Sequence, residues 1–73
     1  MSYEDALMER INSLNKDILK KIINYRANIE RKEFGLAQIK ASEILELKSL
    51  LRSNQDIAFY MFNMEPEQGY FTN

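Results

Sequence analysis

The sequence contains no cysteine and no histidine, a single proline and only two glycines in 73 residues. Each shortage removes a class of chemistry. Without cysteine there is neither a disulfide framework nor a thiolate metal site. Without either residue the common zinc sites, the Ser-His-Asp triad and the Cys-His dyad cannot be built, nor can the Glu-x-x-His motif of di-iron bundles. Gly35 and Gly69 are too few for a P-loop or a dinucleotide fingerprint. The acidic residues lack the spacing of a calcium loop. The expectation is a non-enzymatic protein with no catalytic, cofactor-binding or metal-ligating residue and no cofactor.

Long hydrophobic runs are missing as well. The longest, IAFYMF at 57–62, is far shorter than the roughly 18 residues that span a bilayer. The first ten residues, MSYEDALMER, open with acids and hold no apolar signal-peptide core. A cytoplasmic protein with no membrane partner is expected. The abundance of Lys, Asn and Ile suits an AT-rich genome, bacterial or phage, and bears on no function.

What remains is 45% hydrophobic and 29% charged, the balance of a globular chain. Its length allows one small domain, burying only about 60% of the surface the unfolded chain exposes. So little glycine and proline means few turns and long helices. The net charge of −1 disfavours a general nucleic-acid binder, yet the charge is uneven. All ten Lys and Arg lie in 1–52 with eight acids, whereas 53–73 holds only Asp56, Glu65 and Glu67. The aromatic C-terminal stretch is therefore acidic, and anionic lipid would repel it.

The first helix starts at a capping signal, with Ser2 three residues before Asp5 and acids in the first turn. Apolar residues recur at Leu7, Ile11, Leu14, Ile18, Ile22, Tyr25 and Ile29, close to an eleven-residue repeat that keeps one stripe nearly straight. Nothing breaks the pattern before Gly35, which is expected as a left-handed C′ residue closing the helix. In the second helix Leu36, Ala37, Ile44, Leu47, Leu50 and Leu51 share a face, and Ile57, Ala58, Met61 and Phe62 fall back on it. That retained register predicts one continuous helix through Ser53–Asp56 rather than a third helix, ending before Pro66. Asn54, in the middle of the stripe, reads equally as a helix start or as a buried polar residue fixing register.

The fold class expected is all-α, an antiparallel hairpin of two long helices at about 3–34 and 36–64. At 1.5 Å per residue the arms match, about 46 and 43 Å. Residues 1–64 form the hairpin domain and 65–73 an acidic aromatic tail.

Each helix carries more apolar surface than one partner helix covers. Met8, Leu19 and Ile23 form a second stripe on the first, Ala41 and Leu45 on the second. Self-association is the expectation, as a homodimeric four-helix bundle of two hairpins. Phe59, Tyr60, Tyr70 and Phe71 lie off the core stripe. Either they fold over the bundle end, or they present an acid-ringed aromatic patch to a basic, apolar groove on another protein, whose identity the sequence does not give.

Glu30 with Glu33, and Glu43 with Glu46, are carboxylate pairs at i,i+3 that read as solvated charges among lysines. Asp17 with Lys21 reads as an ordinary i,i+4 pair. Lys16, Lys20 and Arg31 line the outer face of helix one, a row able to track phosphates but interrupted by Glu9 and Asp17. A small interaction protein is therefore the leading reading: a regulator or inhibitor docking on a larger partner, or an accessory structural subunit. The alternative is a nucleic-acid-binding accessory protein using that basic row.

Overall fold

Ser2 begins the first helix as the sequence signals: its Oγ accepts a hydrogen bond from the Asp5 N–H at 3.2 Å. The structure, a computed structural model, describes residues 2–62. Two helices account for nearly all of them, α1 at Tyr3–Glu30 and α2 at Phe34–Phe62, packed as an antiparallel hairpin 44 Å long. No strand occurs among the described residues. α2 runs unbroken through Ser53–Asp56.

The turn corrects one expectation. α1 stops at Glu30 and not near residue 34, and the left-handed residue is Lys32, at φ 60°, whereas Gly35 does not have positive φ. The Lys32 N–H donates to Ile29 O at 3.0 Å and the Glu33 N–H to Asn28 O at 2.8 Å. Those two bonds define a Schellman motif with lysine, rather than glycine, at C′. Glu33 O then accepts the first α2 bond, from the Ala37 N–H at 3.0 Å. Gly35 lies inside the first turn of α2, with open space where a Cβ would point. Three residues, Arg31 to Glu33, suffice to reverse the chain because the Schellman bonds turn it within the last helical turn.

The α1 stripe packs as its spacing requires. Leu7, Ile11, Leu14 and Ile18 are buried, and Ile22 and Tyr25 half-buried; Ile29, near the turn, is exposed. On α2 the seam is rotated by roughly 40° from the face the apolar pattern picks out, at 100° per residue. It runs along Ala37, Ile44, Leu51 and Ala58, with Asn54 and Gln55 buried beside it. Leu36, Leu50 and Met61, expected on the core face, are exposed. The α2 apolar sector is wider than the groove one helix offers, so only one flank of it fits beneath α1. Ala37 and Ala58 select that flank, since their small side chains let the helices approach.

Burying Asn54 requires a partner for its amide. Its Nδ2 donates to Leu50 O at 2.7 Å, one turn back, so it is a satisfied residue within a continuous helix and not a helix start. No buried side-chain nitrogen or oxygen among the described residues lacks a partner. The core is thin all the same. Among the described residues five large hydrophobics are buried, whereas twelve are exposed, and the apolar surplus of the helices therefore lies on the surface.

Candidate functional surfaces

Lys21 marks one broad face of the two-helix layer. It was paired by spacing with Asp17, but its Nζ crosses the hairpin to Glu43 Oε1 at 2.9 Å. Lys40 Nζ approaches the same oxygen at 3.6 Å. The Lys21 hydrogen bond foremost, then the charges of Lys21 and Lys40, hold the Glu43 carboxyl below the ordinary glutamate value, against a desolvation effect that raises it. Glu43 is thus committed to the hairpin, not poised as an acid or base.

Helical geometry places Leu19, Ile23, Ala41 and Leu45 on the opposite broad face. Leu19 lies level with Leu45 and Ile23 with Ala41, two residues either side of the Lys21–Glu43 level. Ile23 and Leu45 are 64% and 63% exposed, Leu19 is exposed and Ala41 half-buried. Beside them opens a shallow cleft of about 260 Å³ lined by Tyr25, Ala41, Ile44, Leu45 and Lys48. Met8, grouped with this stripe from spacing alone, packs instead against the hairpin's own core. It lies near the open end of the layer, where its flexible chain reaches inward between the helices.

A second surface forms at the end of α2. The Phe62 ring packs against the core and meets Tyr3 with centroids 5.6 Å apart, joining the start of α1 to the end of α2. Phe59 and Tyr60 point away from that contact. Their rings stack edge to face at 5.1 Å, and both are exposed, Tyr60 at 78%. Met61, the next residue in the chain, is exposed as well. Tyr70 and Phe71 lie outside the described residues.

Three residues that the sequence pattern puts on the α2 core face belong to the exposed apolar set. Leu36, Leu50 and Met61 could have been found only by knowing which flank of the wide α2 sector α1 would choose. The two alanines, Ala37 and Ala58, were the available signal. Lys16 and Lys20 are exposed on the outer side of α1, with Glu9 also exposed on that side, while Arg31, read as part of the same helix face, is exposed at the C-cap in the turn. Among the described residues no group of acids could hold a metal ion, and no helix is long and apolar enough to cross a membrane.

No family model matches the chain, and neither does any curated protein or solved structure.

Proposed function

We propose that this chain is a non-enzymatic interaction protein, a regulator or inhibitor of a larger protein or an accessory subunit docked on one. The observation that carries the reading is the exposed Phe59–Tyr60 pair at the end of a helix whose next aromatic, Phe62, is engaged in the core. Aromatic residues and methionine are the types enriched at the centres of interfaces. Two adjacent rings exposed together on a small domain cost solvation without adding core. The surrounding stretch from residue 53 onward carries acids and no base, so the partner surface it suits is apolar and basic. Tyr70 and Phe71 belong to the same docking segment in this reading. A reducing cytoplasm is its site of action, which a chain free of cysteine suits.

The test compares three proteins in host extract: wild type, Phe59→Ala with Tyr60→Ala, and Phe62→Ala. The double variant keeps the wild-type melting temperature and loses the captured partner. If it captures the same partner as wild type, the docking reading fails. If it melts as badly as Phe62→Ala, the two rings are packing and it fails as well.

A second reading has one observation in its favour: Lys16 and Lys20 on α1 and Arg31 at its C-cap are all exposed. Retention on heparin or DNA at low salt, lost steeply as salt rises, distinguishes a nucleic-acid-binding accessory protein from the docking protein.

A further inference from the structure

We infer that the face carrying Leu19, Ile23, Ala41 and Leu45 binds a second copy of this chain, the two hairpins antiparallel, with Leu45 of each seated beside Ala41 of the other. The inference deepens the interaction reading by naming one partner and rests on the same surplus of exposed apolar surface.

At its middle this face carries apolar side chains from both helices at matching levels, where the opposite face carries the Lys21–Glu43 pair. The apolar residues are arranged so that the surface complements itself. A two-fold axis perpendicular to the helices, at the level of Lys21 and Glu43, carries Leu45 onto Ala41 and Leu19 onto Ile23. Ala41 is small, and the cleft beside it is open to solvent. The most exposed large residue of the patch on α2, Leu45, thus meets the position where a side chain fits. The Leu45–Ala41 seating needs no chemistry foreign to this chain, as an isologous dimer requires.

Area is sufficient. The broad face of the hairpin, 44 by 24 Å, offers on the order of 1,000 Å², against about 800 Å² per partner in a standard stable interface. The net charge of −1 per copy adds little repulsion.

The experiment is sedimentation of the full chain at tens of micromolar beside Leu45→Lys. Wild type sediments at twice the chain mass, and Leu45→Lys, at a side chain already exposed in the hairpin, stays helical and weakens pairing by about thirtyfold or more. Wild type at a single chain mass overturns the proposal, as does a Leu45→Lys protein that still pairs. Should that variant fail to fold, cysteine placement decides, and this chain has no cysteine to interfere. A mixture of Ala41→Cys and Leu45→Cys proteins is expected to cross-link under mild oxidation faster than either alone. Equal rates overturn the antiparallel seating. A single-mass protein that still engages another protein through Phe59 and Tyr60 overturns the dimer alone and leaves the docking reading standing.

Discussion

Lys21 Nζ lies 2.9 Å from Glu43 Oε1, an ion pair that joins the middles of two helices 22 residues apart in sequence. Because Lys21 lowers the Glu43 pKa in the folded state, the contribution has a definite sign with pH. The folded value lies below the unfolded one, about 4.3 for a free glutamate. The stabilisation is therefore complete above that value and is lost as pH falls through the lowered folded value. Both side chains are about one-third exposed, so the effect is small. A double-mutant cycle with Lys21→Met and Glu43→Gln should show favourable coupling in thermal melts at pH 7 and none near pH 2. Coupling that persists in acid would mean the pair acts by packing, not charge.

The turn makes a prediction opposite to the one its sequence suggests. If Gly35 held the left-handed position, Gly35→Ala would cost stability. It lies instead in the first turn of α2 with ordinary φ and open space around its Cα, so alanine should add about 0.4–1 kcal/mol by restricting the unfolded chain. Lys32 carries the strained conformation, and Lys32→Gly should gain up to about 1 kcal/mol by relieving it. Urea unfolding of both variants checks this. Destabilisation by Gly35→Ala would return the turn to residue 35.

Asn54 tests the continuity of α2. Its amide donates to a carbonyl that an ionised carboxylate would repel. Asn54→Asp should therefore cost about 2–3 kcal/mol at neutral pH, with part regained as the acid protonates. An N-terminal helix cap at this position would accept aspartate without loss. Equal stability of the two proteins at pH 7 would thus contradict a helix running through residue 54.

Phe62 and Leu51 measure the core. Leu51, 2% exposed, should cost about 3–5 kcal/mol as alanine. Phe62 is only half-buried and should cost about 2–3 kcal/mol, less than a full aromatic deletion. Chemical denaturation gives both numbers. A loss below about 1 kcal/mol at Leu51 would mean that the seam lies on another face of α2.

Most of the fold was legible because helix one announces itself: a capping serine, one apolar stripe and no breaker. The register of Ile57, Ala58 and Phe62 with Leu51 carried the reading through Ser53–Asp56 for the same reason. The turn was misplaced because glycine is the usual C′ residue, and here lysine accepts the strain while backbone bonds to Asn28 and Ile29 hold it. The α2 face was only partly legible. A sector containing Leu36, Leu47, Leu50, Leu51 and Met61 is too wide for one helix to cover, and the alanines that settle the matter are weak signals by hydrophobicity. The exposure of Phe59 and Tyr60 followed from angle alone. Met8 did not, because a long flexible side chain reaches the core from a position that angle assigns to the flank.

The most direct test of the docking reading is site-specific photo-cross-linking in the native host. A benzophenone amino acid replaces Tyr60 in one protein and Lys20, on the outer basic row of α1, in another. The account predicts a discrete adduct with a different protein from position 60, abolished by Phe59→Ala, and none from position 20. A nucleic-acid adduct from position 20 with nothing from position 60, in proteins of wild-type helicity, would contradict it.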